Sequence, residues 1–247
     1  MRTDYLVIGA GATALAFVDT VFAGTDATFT IVDRRDAPGG HWNDAYSFVR
    51  LHQPGWMYGV PSQPFGSLDV EESGPNRGFT PLASGVEVTD HFHRFLRETL
   101  LPSGRVTYLP LSEYREGRAV SLLSGESTEV EATTVVDATL LEATIPLTHE
   151  PSFLVADGAV CVPPNSLART APRHDHFAVL GAGKTALDVV TWLLVNGARP
   201  EQITWVRPRE AWLYGRDLFQ PGGGLHGRHR RRAGPAVRRH GRGSTAR

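Results

Sequence analysis

Two stretches of the chain share one pattern, in which a short apolar run leads into a glycine-rich turn and then an amphipathic segment. The first reads DYLVIGAGATALAFVDTVFAG and ends at Gly24; the second reads HFAVLGAGKTALDVVTWLLVNG and ends at Gly197. The apolar run predicts a buried parallel strand, and apolar residues at helical spacing after the turn predict a helix that stops at the glycine. Because strand, tight turn and helix occur twice, the sequence predicts an α/β fold with two such units.

The first turn has the residue types that a dinucleotide phosphate requires. Gly9 permits a sharp turn, Gly11 lets the backbone approach a pyrophosphate without an intervening side chain, and Ala14 is small enough for close helix–strand packing. The helix that follows would offer free N–H groups and the positive end of its dipole. Gly9, Gly11, Thr13 and Ala14 are therefore candidate cofactor-binding residues. The alternative, for such a motif taken alone, is an ordinary glycine-rich turn.

A second β-rich run, ATFTIVD, supports the dinucleotide interpretation, because it ends in Asp33 about 20 residues after the glycines. An acidic side chain at the end of this strand can accept hydrogen bonds from the hydroxyl groups of an adenosine ribose. Asp33 and its neighbour Arg34 join the candidate cofactor-binding residues. So do Gly39 and Gly40, which suit a backbone lying against a ligand, and Trp42, which either packs on a flat ring or fills the core.

The second turn repeats the features of the first, with Gly181, Gly183, Lys184 and Thr185 as candidate cofactor-binding residues. Lys184 either adds positive charge near a pyrophosphate or is simply exposed. Two strand–turn–helix–strand units in one chain predict two bound dinucleotides.

An arginine occupies the place in the second unit that Asp33 occupies in the first. The run QITWV leads to Arg207, and Arg209 lies two residues further on. A guanidinium there suits the 2′-phosphate of NADPH through charge-assisted and often bidentate hydrogen bonds, whereas a carboxylate suits a free ribose hydroxyl. The two arginines therefore favour NADPH over NADH. The alternative is that both are solvated charges in a loop.

These motifs resemble the start of a known protein family. The first turn, Asp33 and the following Gly39-Gly40-x-Trp42 are similar to the FAD-binding start of flavin-containing monooxygenases and their bacterial relatives, which are two-dinucleotide-domain flavoproteins. The resemblance implies that the first turn grips the FAD pyrophosphate and that Asp33, where glutamate is commoner, grips the ribose. It also implies that Gly39, Gly40 and Trp42 lie along the flavin side of the site. The run VVDAT resembles the strand by which that family's chain crosses towards its second nucleotide domain, with Leu140 in place of the usual glycine.

The resemblance covers residues 1 to about 218 and implies the fold class. The expected fold is α/β, with a Rossmann-like FAD-binding domain that carries a small antiparallel β-meander. An incomplete second Rossmann-like NAD(P)-binding domain and a disordered tail are expected to follow it. We expect the N-terminal part of the FAD-binding domain at 1–170, a partial NAD(P)H-binding domain at 171–218, and an Arg/Gly-rich tail at 219–247. In that family the chain continues well beyond this point, so we expect a truncated protein in which a shifted reading frame has replaced the second half.

The function implied is that of an FAD-containing, NADPH-dependent oxidoreductase. A monooxygenase-like reaction is favoured, in which NADPH reduces the flavin and the reduced flavin activates O2. Two alternatives stay open: a truncated, catalytically inactive dinucleotide-binding fragment, and an NADPH–flavin reductase or dehydrogenase that does not use O2. The single cysteine, Cys161, excludes a Cys-x-x-Cys redox pair. No catalytic side chain is assigned, because the cofactor carries the chemistry. Arg50, His52 and Gln53 either contact flavin or substrate or are ordinary loop residues.

Between the two motifs the sequence is less informative. Residues 62–85 are rich in Gly, Pro and Ser and predict irregular surface structure. The following segment predicts an amphipathic helix capped by Thr89 or Asp90. On that helix His91 and His93 point to different sides, so they make a poor metal pair and no metal site is predicted.

A series of short β-rich runs follows this helix. The runs RVTYL, AVSLL and TEVEA predict a small antiparallel meander. The last run, TTVVDAT, predicts a strand that returns to the parallel sheet.

Composition limits the partners. The formal net charge is −1, but residues 219–247 contain eight Arg and no Asp, Glu or Lys, so the preceding residues are acidic and have no overall field for nucleic acid. The tail has the composition of a nucleic-acid arm, yet it has no aromatic residue after Phe219 to stack on bases. We therefore expect a small-molecule substrate and no nucleic-acid partner. No apolar run reaches the ~18–20 residues of a membrane span. The first residues lack the regions of a signal peptide, so a cytoplasmic location is expected.

Overall fold

A computed structural model describes residues 1–140, 145–209, 212 and 215–220. Most of the predicted tail, from residue 221 on, lies outside these residues. The described residues form a four-stranded parallel sheet, a three-stranded antiparallel sheet and a parallel strand pair, which confirms the α/β fold class. The strands and helices in chain order are β1 (Arg2–Ile8), α1 (Ala12–Gly24), β2 (Phe29–Val32), α2 (Gly85–Arg94), β3 (Val106–Leu109), β4 (Ser112–Arg115), β5 (Arg118–Ser121), β6 (Ser127–Glu129), β7 (Glu131–Asp137), α3 (Pro164–Thr170), β8 (Phe177–Leu180), α4 (Lys184–Val195) and β9 (Ile203–Val206).

The four-stranded sheet has the strand order β3-β2-β1-β7, and every neighbouring pair is parallel. α1 is the crossover between β1 and β2, and its Leu15 and Val18 share one core cluster with Val7 and Ile31 of those strands. This is the Rossmann-like arrangement predicted from the first motif. The crossover places the carboxyl ends of β1 and β2 side by side, next to the first turn of α1.

The second unit is a parallel pair, β8 and β9, joined by α4. β8 lies in the apolar run before the second glycine-rich turn, as predicted, and Gly197 stands just past the end of α4 with a left-handed φ of 93°. α3 packs on this unit, since Leu167 shares a core cluster with Val179 and Leu193. The second unit therefore has a small core of its own.

The prediction that RVTYL opens the antiparallel meander is wrong. Val106–Leu109 pairs in parallel with β2, with Val106 opposite Phe29, and forms the edge of the large sheet. The meander consists of β4, β5 and β6 instead. β4 has the sequence SEYR, which is too polar to be recognised as a strand from β propensity. The return strand, β7, pairs in parallel with β1 as predicted.

α2 begins earlier than predicted, and neither Thr89 nor Asp90 is its cap. Ser84 is the N-cap residue: its Oγ accepts the N–H of Glu87, and the Glu87 carboxylate accepts the N–H of Ser84 at 2.7 Å. This reciprocal pair is a capping box, whose Ser-x-x-Glu signature is present in the sequence but lies inside a loop-like composition. The Thr89 hydroxyl donates to the carbonyl of Gly85 within the helix.

Residues 62–85 are irregular, but the prediction that they lie at the surface is wrong in part. Phe65 and Ala83 belong to the main core cluster, and Thr80 is fully buried. Both the N–H and the hydroxyl of Thr80 donate to the side-chain carbonyl of Gln220, at 2.8 and 3.1 Å. Part of the segment thus packs into the main core, and the chain near residue 220 lies against it at Thr80.

His91 is a structural residue of the core, with 1% of its surface exposed. Its Nε2 accepts the N–H of Val60 at 3.0 Å, which requires a neutral ring. Burial lowers the pKa of His91, and Arg94 lowers it further, against the weaker opposite influence of Asp19 and Asp90. The folded chain therefore binds a proton at His91 less tightly than the unfolded chain does.

The unfolding free energy should therefore fall in mild acid because of His91. Its contribution is complete above the unfolded pKa, about 6.5, and is lost below that pH at up to about 1.4 kcal/mol per pH unit, until the lowered folded pKa is reached. Urea denaturation from about pH 7.5 to about pH 5.5, a range above the titration of ordinary carboxylates, measures the loss. His91→Gln should flatten this dependence, and His93→Gln, the matched control on the same helix, should not. An equal acid loss in wild type and His91→Gln would contradict the assignment.

Among the described residues, no helix combines the length and the apolar character that crossing a membrane requires.

Candidate functional site

The loop of the first unit joins β1 to α1 in the conformation that the glycines predict. Gly9 has a φ of 98°, and its N–H donates to the carbonyl of Val32 at 2.8 Å. Gly11 is the N-cap residue of α1, and none of the described side chains caps this helix, so its first-turn N–H groups remain available to a ligand. Ala14 is buried beneath the loop, whereas Thr13 is exposed.

Asp33 lies directly after β2, and only 6% of its surface is exposed. Its Oδ2 accepts the N–H of Ala10 at 2.5 Å, and its Oδ1 accepts the N–H of Arg35 at 2.7 Å. A carboxylate has about four acceptor positions, so acceptor capacity remains for a ribose hydroxyl at the exposed part of the group. Arg34, beside it, pairs instead with Glu113 of the meander at 2.5 Å.

Gly39 and Gly40 lie directly against the first loop. The N–H of Gly39 donates to the carbonyl of Ala10 at 2.8 Å. Both glycines have left-handed φ values, 115° and 58°, and a Cβ on Gly40 would stand 3.0 Å from the Cα of Gly11. The structure therefore brings together the two glycine motifs that are about 30 residues apart in the sequence, and it leaves no room for a side chain between them.

Trp42 has a structural contact that the sequence did not reveal. Its Nε1 donates to the hydroxyl of Tyr58 at 2.7 Å, and the two rings meet edge to face with centroids 5.9 Å apart. Burial raises the pKa of Tyr58. The indole is half-buried against the main core, so its position beside the glycine motifs is fixed whether or not one of its faces also contacts a ligand.

The second loop repeats the geometry of the first. The N–H of Gly181 donates to the carbonyl of Val206 at 2.9 Å, which is the counterpart of the Gly9 to Val32 bond. Gly183 caps α4 with φ −80° and ψ 179°, against −79° and −179° for Gly11 in α1. The indole N–H of Trp205 donates to the carbonyl of Gly181 at 2.7 Å and ties the loop to β9.

The matching registers make Arg207 the structural counterpart of Asp33, because each follows the residue whose carbonyl holds the first glycine of its loop. The guanidinium of Arg207 lies over the ring of Trp205, 5.2 Å from its centroid. Trp205 in turn holds Gly181, so Arg207 is placed near the edge of the second loop. Arg209 is exposed two residues further on.

Lys184 and Thr185 begin α4, and their contacts lead towards the first unit. The Lys184 ammonium contacts the backbone carbonyl of Arg50 and the carboxylate of Asp188. The Tyr46 hydroxyl donates to the same carboxylate at 2.7 Å, with Thr185 beside it. Burial raises the pKa of Tyr46, and the neighbouring Asp188 carboxylate raises it further.

The remaining candidates are less involved. The Arg50 side chain donates to the carbonyl of Leu82 at 2.9 Å, and His52 is exposed. No group of three or more metal-ligating side chains occurs among the described residues, and Cys161 is exposed.

Sequence reasoning did not single out Tyr46, Tyr58 or Asp188. Asp188 carries a readable signal, because it follows Lys184 by four residues, the spacing of a helical ion pair. The two tyrosines carry none, since their partners are distant in the sequence.

Comparison with known proteins gives relatives in mycobacteria. No protein-family model matches the chain. An uncharacterized protein of Mycobacterium tuberculosis is 44% identical over 223 residues, which is 90% of this chain, and a protein of Mycobacterium bovis matches equally. The chain spans only 41% of the length of these relatives.

Solved structures with a similar fold are flavin-dependent monooxygenases and a related reductase. A flavin-containing monooxygenase of Stenotrophomonas maltophilia has a TM-score of 0.57 at 20% identity, covering 88% of this chain and 63% of its own. A cadaverine monooxygenase of Erwinia amylovora, bound to FAD, has a TM-score of 0.53 at 17% identity, covering 85% and 52%. A bacillithiol disulfide reductase of Staphylococcus aureus has a TM-score of 0.51 at 12% identity, covering 85% and 59%. The described residues therefore share their fold with these monooxygenases and this reductase.

Proposed function

We propose that the chain carries the FAD-binding and NADPH-binding elements of a flavin-dependent oxidoreductase, most consistent with a monooxygenase. The observation that carries the proposal is the repeated loop geometry, in which Gly9 and Gly181 make the same backbone bond and Asp33 and Arg207 occupy the same structural position. One phosphate-binding loop would serve one dinucleotide. Two loops with opposite charge at the ribose position fit two different dinucleotides.

The first unit fits FAD. Uncapped N–H groups at the start of α1 would hold the pyrophosphate, and Gly11 and Gly40 provide backbone that a phosphate can approach closely. Asp33 would accept from the ribose. Trp42, held by Tyr58, would border the flavin and exclude water from that side.

The second unit fits NADPH. Its loop offers the uncapped start of α4, and Arg207 stands where a 2′-phosphate would lie. When bound, the two cofactors would supply a hydride transfer from the nicotinamide to the flavin and the flavin's reaction with O2. The chain's own residues would hold the two dinucleotides in register, and none of them need act as a nucleophile.

The monooxygenase reaction is favoured over disulfide reduction by the cysteine content. Cys161 is the single cysteine of the 247 residues, and it is exposed. A dithiol–disulfide exchange site needs a pair of thiols. A reductase or dehydrogenase that does not use O2 fits the same residues, and O2 consumption separates the two.

The main alternative is that the chain binds dinucleotides without catalysis. In that case the loops would bind nucleotide without any hydride transfer. Measurements on the purified chain distinguish hydride transfer from nucleotide binding without catalysis.

We expect the full chain to bind FAD, seen as visible flavin absorption or as quenching of added FAD fluorescence. Under anaerobic conditions NADPH should bleach the flavin, with NADH at least about tenfold less effective. Faster NADPH consumption on admission of O2 would support the monooxygenase assignment. Binding of FAD without bleaching would support the catalytically inactive fragment, and a chain that binds no FAD would contradict the proposal.

A further inference from the structure

The segment that follows Trp42 contacts the second unit at every second residue from 44 to 50. The carbonyl of Asp44 accepts from the side chain of Asn165 in α3 at 2.9 Å, and the Tyr46 hydroxyl donates to Asp188 in α4. Phe48 stacks on Trp192 of α4, with ring centroids 5.1 Å apart. The fourth contact is made by the backbone carbonyl at position 50, which accepts from Lys184. Residues 44–50 therefore form a surface of the first unit on which the second unit packs.

The same segment is fixed to the first unit by backbone hydrogen bonds. The N–H of Leu51 donates to the carbonyl of Ala83 at 2.8 Å, and the N–H of Gly85 donates to the carbonyl of Val49 at 3.1 Å. Ser84, which lies between Ala83 and Gly85, caps α2. α4 is thereby connected to the first unit through a short stretch of chain that is held by backbone hydrogen bonds.

Lys184 takes part in two of these four contacts, one directly and one through Asp188. Its ammonium bridges a carbonyl of the first unit and the Asp188 carboxylate, which also accepts from Tyr46. It is the single lysine of a chain whose other basic side chains, 24 of them, are arginines (25 Lys and Arg in all). An ammonium is a compact point charge with three donors, whereas a guanidinium is a wide planar fork, so lysine and arginine are not interchangeable between these two oxygen acceptors.

We propose that Lys184, Asp188 and Tyr46 form a lock between the two nucleotide-binding units and are positioning residues rather than cofactor ligands. Lys184 follows Gly183, the N-cap residue of α4 at the end of the second loop, and the locked segment follows Trp42 beside the first loop. The lock therefore fixes the orientation of one phosphate loop relative to the other. The lock would thereby set the distance over which a hydride must pass. This consequence for catalysis rests on the proposed function.

Hydrogen exchange of the full chain tests the lock without any cofactor. Lys184→Met, Asp188→Asn and Tyr46→Phe should each speed amide exchange at Val49 and Leu51 by about tenfold, because the segment opens when the second unit is released. Asp90→Asn is the matched control, since Asp90 forms an exposed ion pair with Arg94 at the same i,i+4 spacing within α2 of the first unit. Unchanged exchange in all three lock variants would overturn the proposal.

Lys184→Arg separates the lock from the role of a phosphate ligand. A ligand that acts by charge would tolerate arginine, so Lys184→Met alone would raise the dissociation constant for NADPH about tenfold. The lock predicts that arginine and methionine are equally harmful. Both should slow flavin reduction at saturating NADPH by about tenfold while the dissociation constant changes less than about threefold. An arginine variant with wild-type exchange and wild-type reduction would overturn the lock. If wild type bound no FAD, the proposed function would fail, and the exchange measurement would still decide the lock.

Discussion

Replacing Gly40 with valine is expected to lower the affinity for FAD about 100-fold, or by about 3 kcal/mol, because the substitution forces apart the two motifs that would hold the flavin nucleotide. The valine Cβ would stand 3.0 Å from the Cα of Gly11, closer than ordinary contact. The φ of 58° at Gly40 is in addition a left-handed conformation that a β-branched residue adopts at a cost. Both effects act on backbone, which cannot rotate away as a flexible side chain would.

The measurement is FAD titration of the apoprotein, followed by fluorescence quenching. Gly24→Val is the matched control, since Gly24 ends α1 on the same unit and a Cβ there meets nothing within 4 Å. Circular dichroism shows whether Gly40→Val keeps its secondary structure. A folded Gly40→Val protein with the FAD affinity of the control would exclude this contact from the FAD site.

The two strand–turn–helix units were predictable from sequence because each is built from local signals. Residues 177–180 form β8 as predicted, and Asp33 follows β2 as predicted, because an apolar run, a glycine pair and a helical period are adjacent in the chain and reinforce one another. The φ of 98° at Gly9 and of 121° at Gly181 are conformations that glycine adopts freely. Here sequence and structure agree.

The rest of the structure depends on contacts between distant residues. Val106–Leu109 has the composition of any short strand, and only its pairing with β2 places it in the parallel sheet. Tyr46 and Asp188 are separated by 142 positions, and their hydrogen bond exists only because the two units meet. Trp42 was assigned by sequence either to a flat ring or to the core, and its bond to Tyr58 shows that packing fixes it. Such partners leave no periodicity or spacing in the sequence.

The charge exchange between the units leads to the second large effect. Asp33 and Arg207 follow strands in the same register, so the difference between them concerns the side chain alone. A carboxylate at this position accepts from ribose hydroxyls and repels a phosphate, and a guanidinium does the reverse. Arg207→Asp should therefore give the second unit the preference proposed for the first, which is for free ribose hydroxyls over a ribose phosphate.

We expect Arg207→Asp to raise the dissociation constant for NADPH about 100-fold, since it removes a charge-assisted pair and adds a repulsive charge. The constant for NADH should change by less than about threefold, because its ribose carries no phosphate. Arg199→Asp makes the same charge change before β9, at the opposite end of a strand about 13 Å long, and should leave the preference intact. An equal loss of both nucleotides in Arg207→Asp would mean that Arg207 acts through Trp205 on the fold of the loop and not on the phosphate.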